Sequence, residues 1–294
     1  MQDGVGLHPL GVGDIVDRVF GIYRSRPLMF LAIAAIPYLA LVLLVAGLTV
    51  VFAGSFLALA PLLTGDLAPD RIAAALASLA LFGVIVAVAA IVVSLVQSAS
   101  LIDAAAARYM GKETTVEGAL RAGLRASPRL LGMGAIATLA FIVMWTLLAI
   151  GMVATQQWWS VLIALCGGLA ASVYLAASWM VSPAVVILES AGPLAALRRS
   201  WTLSGGHRWR ILGLILLLVV LQAVLSSLLS FVLVASFVTD QIVQLVLQQA
   251  VNLLATIAWA PVYWGTFAVL YYDLRVRKEA FDLQLAAEAL PRAT

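Results

Sequence analysis

Five stretches of the chain carry no charged side chain: residues 27–65, 72–102, 130–188, 211–239 and 241–272. Each exceeds the roughly 20 residues an α-helix needs to cross the hydrocarbon core of a bilayer. Backbone in lipid must satisfy its own polar groups, which only helices and closed barrels do. The runs are continuously apolar rather than alternating in twos, and this selects helices over barrel strands. The run at 130–188 is long enough for two spans, divided by Thr155-Gln156-Gln157. With 64% hydrophobic and 11% charged residues the composition agrees; a soluble domain is nearer half apolar and a quarter charged. The sequence thus predicts an all-α polytopic membrane protein with six spans, at about 28–52, 72–102, 130–153, 158–188, 211–237 and 242–272. They form one membrane domain over 28–278, between an N-terminal segment 1–27 and a tail 279–294.

The net charge of +3 is small, but its placement is one-sided. With six spans, 16 of the 17 lysines and arginines fall on one side, and only Arg71 on the other. The positive-inside rule makes that side cytoplasmic and puts both termini there. A basic face beside anionic lipid accounts for this bias, so nucleic acid is not an expected partner. Asp3, Asp14 and Asp17 lie among the arginines before the first apolar run, which is too long for a signal-peptide core. The first span is expected to stay as an anchor. Cys166, the single cysteine, lies inside a span, where a small packed residue is expected.

Three short amphipathic helices are expected on the basic side. The first begins at Asp14, read as its N-cap, and Pro27 ends it. The second opens on Thr114-Thr115-Val116-Glu117, a capping-box pattern, and ends near Pro128. The third starts at Gly192-Pro193 and breaks at Gly205-Gly206. Each is followed by a span, an outer turn, a second span and an acid: Asp103, Glu189 or Asp273. The pattern reads as a threefold repeat of short helix plus helical hairpin.

The three acids are the leading candidates for a role beyond packing, because a carboxylate beside lipid is costly unless paired. The simpler expectation is an ion pair from each to an arginine of a neighbouring short helix, such as Arg121, Arg198 or Arg199. The sharper one places an anionic head group on Arg121, Arg125, Arg198, Arg199, Arg208 and Arg210, or a proton relay on the acids. In span six, Gln244, Gln248 and Asn252 follow helical spacing. They either line an outward-facing polar cavity or hydrogen-bond to the serines 226, 227 and 230 of span five. The only histidines, His8 and His207, lie outside the spans. No metal-ligand cluster, nucleophile elbow or phosphate loop is present, so neither a metal nor a cofactor is expected.

Two stretches carry a family resemblance. One runs from Val185-Val186-Ile187-Leu188-Glu189 through Gly192-Pro193 to Ala196-Leu197-Arg198-Arg199-Ser200-Trp201 and Gly206; the other is Tyr271-Tyr272-Asp273-Leu274-Arg275-Val276-Arg277-Lys278-Glu279-Ala280-Phe281-Asp282-Leu283. With Leu10-Gly11-Val12-Gly13-Asp14-Ile15 they resemble the bacterial integral membrane family named for the membrane domain of glycerophosphoryl diester phosphodiesterase. The resemblance implies a six-helix protein of the bacterial cytoplasmic membrane. It does not carry over hydrolysis, because His207-Arg208 is followed by Trp209 and not by the glycine of the enzymes' motif. The expected function is therefore non-enzymatic: a scaffold, a partner subunit or a lipid-organising protein at the cytoplasmic face. Its expected contacts are anionic lipid head groups and an unidentified protein partner. The alternative is a transporter or lipid-handling permease with a polar cavity near span six.

Overall fold

A computed structural model describes residues 9–58, 69–234 and 240–284. The end expected for span five near residue 237 and most of the tail 279–294 lie outside these residues. The described residues form α-helices and turns: α1 (Val12–Ser25), α2 (Pro27–Val51), α3 (Ala53–Leu57), α4 (Pro69–Tyr109), α5 (Val116–Thr155), α6 (Trp158–Trp179), α7 (Ser182–Leu188), α8 (Pro193–Ser204), α9 (Arg208–Val234) and α10 (Gln241–Glu279). Six of the segments are long and apolar enough to cross a membrane: α2, α4, α5, α6 with α7, α9 and α10.

Burial is concentrated at one end of this bundle. In α2 the buried residues are Phe30, Ile33, Ala34 and Pro37, all in its first half. In α5 they are Ala119, Gly123, Ala126, Leu130 and Met133, again near the start. Span two reverses the order, as a hairpin requires, burying Ala99 to Ala106 near its end. These residues join Ile211 and Leu214 of α9 and Phe267 to Leu274 of α10 in one core at the basic end. Towards the other end the spans expose Leu43, Val50, Leu81, Leu147, Ile150, Leu162 and Leu228, a surface suited to lipid rather than water.

Helices α4 and α5 pack closely at Gly123. A Cβ on Gly123 would lie 2.1 Å from the Ser100 Oγ and 2.6 Å from the Val96 carbonyl oxygen, so only glycine fits. Such small residues let backbones meet where no water is squeezed out to drive association. At α4's other limit, Gly111 (φ 71) turns the chain after Tyr109, and the Lys112 N–H closes back on the Ala107 carbonyl at 2.8 Å.

Several expected boundaries shift. Asp14 is not the N-cap of α1. Gly11 holds that position, and Asp14 reaches back to accept the Gly11 N–H at 2.8 Å. Thr115, not Thr114, caps α5, accepting the Gly118 N–H at 3.1 Å. The second short helix is not separate from span three, because α5 runs unbroken through Pro128. Proline there removes a single backbone bond, to the carbonyl of exposed Leu124. The packing of Ala126, Leu130 and Met133 on either side keeps the helix continuous. Span four, expected whole, breaks at Met180-Val181. Pro183 cannot bond the Trp179 carbonyl, and the Ser182 hydroxyl takes it instead at 2.5 Å. The three hairpin units therefore differ at their junctions: α1 and α8 stand apart from the spans they precede, whereas the second short helix is fused to its span.

Cys166 is exposed rather than packed. The buried face of α6 is set by Ser160, Ala164 and Gly168. A residue two positions from both Ala164 and Gly168 points to the opposite side of a helix with 3.6 residues per turn.

Candidate functional site

The charged side chains at the basic end form two inward-facing groups. The first centres on Asp273, whose side chain is fully buried. It accepts the Leu10 N–H at 2.8 Å, Arg210 Nη1 at 2.5 Å and Arg277 Nε at 3.1 Å. Arg210 Nη2 and Arg277 Nη2, the latter at 2.7 Å, donate to the Leu10 carbonyl. One carboxylate and two guanidiniums thus hold both polar groups of a single peptide residue, joining the segment before α1 to α9 and α10. Both oxygens of Asp273 accept from these donors, and a buried charge persists only when it is paired and hydrogen-bonded.

The second group centres on Arg199 of α8. Its Nε donates to Glu189 at 3.1 Å, and its terminal nitrogens grip Glu279 at the end of α10. Tyr271 OH donates to Glu189 Oε1 at 2.8 Å, and Arg275 Nε to Glu279 Oε2 at 3.1 Å. The hydrogen bonds to Glu279 raise the pKa of Arg199 above its ordinary value, against the opposing effect of burial; those to Glu189 act in the same sense. The short helix is fixed from its other side by serines. Ser200 and Ser204, one turn apart and fully buried, both donate to the Ser178 carbonyl, at 2.8 and 3.0 Å.

The predicted site residues do not gather at one place. Glu189 meets Arg199. Asp273 takes Arg210 and Arg277 rather than an arginine of a short helix. Asp103 is half-buried, and among the described residues no arginine or other side chain bonds it. Arg121 pairs with Glu117 one turn away, Arg108 with Glu113 at 2.9 Å, and Arg18 lies over the Tyr109 ring at 5.9 Å. Arg125 and Arg198 are exposed and have no carboxylate partner among the described residues. The amide of Gln248 donates to Ser230 Oγ of α9 at 3.1 Å and to Asn252 Oδ1 at 3.2 Å, while Gln244 and Asn252 are exposed.

Arg208 differs from the other arginines. Its Nε donates to Ser178 Oγ at 2.7 Å, and its guanidinium lies over the rings of Tyr174 at 4.5 Å and Trp201 at 4.9 Å. Sequence reading assigned no role to Ser178, Ser200, Ser204, Tyr271, Arg275, Arg277 or Glu279. The four-residue spacings Ser200/Ser204, Asp273/Arg277 and Arg275/Glu279 put each pair on one helix face. They were the available signal.

A family model described as "Domain of unknown function (DUF7847)" matches residues 10–274. The match is to this family, and nothing in it leads to the glycerophosphoryl diester phosphodiesterase membrane domain. No curated protein and no solved structure matches the chain.

Proposed function

The chain belongs to that family of unknown function, and from this premise we propose a non-enzymatic multi-pass protein that organises anionic lipid at the cytoplasmic face of a bacterial inner membrane. The observation that carries this reading is the division of labour among the charges at the basic end. Asp273, Glu189 and Glu279 are turned inward and committed to arginines that join separate helices. Among the described residues Arg125 and Arg198 are exposed without acidic partners, and Arg121 pairs with the exposed Glu117 of its own helix. Acids locked into structural pairs are poor proton carriers. Arginines left at a membrane surface attract anionic lipid, each by on the order of 1 kcal/mol. The bacterial setting draws on the sequence resemblance, and the orientation on the 16-to-1 placement of cations.

The permease alternative gains no observation from the amides of span six, because Gln248 bonds to span five and to Asn252. The proposal is tested by extracting the protein in polymer-bounded native discs and analysing their lipids. Enrichment of anionic phospholipid over the bulk membrane is expected, diminished in a variant with Arg121, Arg125 and Arg198 all changed to Gln. A lipid shell indistinguishable from the bulk membrane would refute it.

A further inference from the structure

Six arginines among the described residues are half-buried: Arg108, Arg199, Arg208, Arg210, Arg275 and Arg277. Five of them pair with a carboxylate. Arg208 does not. Its guanidinium is nonetheless fixed, by Ser178 through Nε and by the two aromatic rings it covers. Those rings also pack edge to face on each other, 5.6 Å apart, so they form a rigid support. A partly desolvated cation held in place without a counter-ion is an anion site in waiting, and the planar fork of arginine suits phosphate oxygens.

What lies beside Arg208 indicates the kind of anion. A cavity of about 700 Å³ opens between α6 and α9, lined by Arg208 and Trp209 at one end and Leu169, Val173, Leu212 and Cys166 beyond them. Along α6 from Tyr174 to Cys166 it extends about 12 Å, at 1.5 Å per residue. Apart from Arg208 its side-chain lining is apolar or aromatic, and it faces outward from the bundle: Leu169 and Tyr174 are exposed, and Trp209 is 87% exposed at the start of span five. A tryptophan at that level is the usual residue of the membrane–water boundary. A free phosphate ion would use only the Arg208 end of this cavity. An amphiphile with a phosphate at one end and an acyl chain at the other would fill its whole length.

We propose that the cavity between spans four and five is a specific site for one anionic glycerophospholipid, its phosphate on Arg208 and one acyl chain in the apolar groove that ends at Cys166. The site deepens the lipid-organising reading and rests on it, but it is a defined pocket, distinct from the exposed arginines 121, 125 and 198.

The test uses the full chain purified in mild detergent, titrated with phosphatidylglycerol or phosphatidylcholine and followed by native mass spectrometry. The rate at which N-ethylmaleimide alkylates Cys166 gives a second readout, since that thiol lies in the groove and is the only one in the chain. Wild type should retain one phosphatidylglycerol about tenfold more tightly than phosphatidylcholine, a difference of about 1.4 kcal/mol. The bound lipid should slow alkylation. Arg208→Gln should abolish both the preference and the protection, and Arg208→Lys, which keeps the charge without the fork, should retain part of each. Ala170→Trp fills the groove from an exposed position without touching Arg208, and should remove the bound lipid while the protein elutes as wild type does. The site assignment is overturned if Arg208→Gln or Ala170→Trp binds phosphatidylglycerol as wild type does, or if both lipids protect Cys166 equally. Loss of the preference only in the Arg121, Arg125 and Arg198 triple variant would sink this pocket and leave the broader reading standing. No preference in wild type would end both.

Discussion

Replacement of Asp273 by alanine is the most informative perturbation of this fold. The carboxylate is fully buried, pairs with both Arg210 and Arg277, and accepts the Leu10 N–H. Removing one partner of a buried ion pair costs about 3–5 kcal/mol, mostly because the remaining charge is stranded. Arg210 and Arg277 keep 20% and 25% of their side-chain surface exposed, so some of their hydration returns. The Leu10 N–H loses its acceptor, at about 1–3 kcal/mol if no water replaces it. A net loss of about 3 kcal/mol is expected for Asp273→Ala. Asp273→Asn keeps an acceptor for Leu10 but strands the same two guanidiniums and turns an amide NH2 toward their N–H groups, so it should cost nearly as much as Asp273→Ala, about 2–3 kcal/mol. The assay is reversible unfolding in mild detergent, combined with limited proteolysis of the segment before α1, which should become cleavable as Leu10 is released. Adding Arg210→Met to Asp273→Ala removes one stranded charge. The double mutant should therefore recover at least about 1 kcal/mol relative to additivity. Wild-type stability in Asp273→Ala with residues 9–11 still protected, or strict additivity in the cycle, would refute the assignment of Asp273 as the clamp of the N-terminal segment.

Two further outcomes follow from the geometry. Gly123→Ala drives a methyl group into the Ser100 hydroxyl and the Val96 carbonyl and should destabilise by about 1–3 kcal/mol; Gly134→Ala, which meets nothing within 4 Å, should be neutral or stabilising in the same unfolding assay. In a Cys166→Ala background, a membrane-impermeant maleimide should label Gln156→Cys on intact cells and Glu113→Cys only after permeabilisation; the reverse pattern would invert the proposed orientation.

Six spans were legible because hydrophobic length is a property of consecutive residues. Gly192 and Pro193 announced α8 in the same way. Pro128 and Pro183 show where such reading fails. Both remove one backbone donor, yet the helix continues through Pro128 and breaks before Pro183. What separates them is the partner each freed carbonyl finds and the packing on either side, neither of which the local sequence encodes. The cap of α1 shifted to Gly11 for a related reason: Asp14 can satisfy the Gly11 N–H from the third helical position as well as it could from the first.

The acids illustrate the same division. Asp103, Glu189 and Asp273 occupy equivalent places along the chain, each where a span leaves the apolar zone. In space they differ completely. Asp273 is buried between arginines 63 residues before it and four after it, and bonds a peptide 263 residues away. Glu189 shares Arg199 with Glu279, 80 residues further along the chain than that arginine. Asp103 receives no arginine at all among the described residues. The sequence alone determined that the protein is helical, that six of its segments are long and apolar enough to cross a membrane, and that 16 of its 17 lysines and arginines fall at matching ends of those segments, because length, apolarity and charge placement are properties of consecutive residues. Which acid meets which arginine, and that Arg208 meets no acid among the described residues and faces an apolar groove, only the tertiary structure decided. Those contacts depend on the rotation of each helix about its own axis, and packing between distant segments sets that rotation.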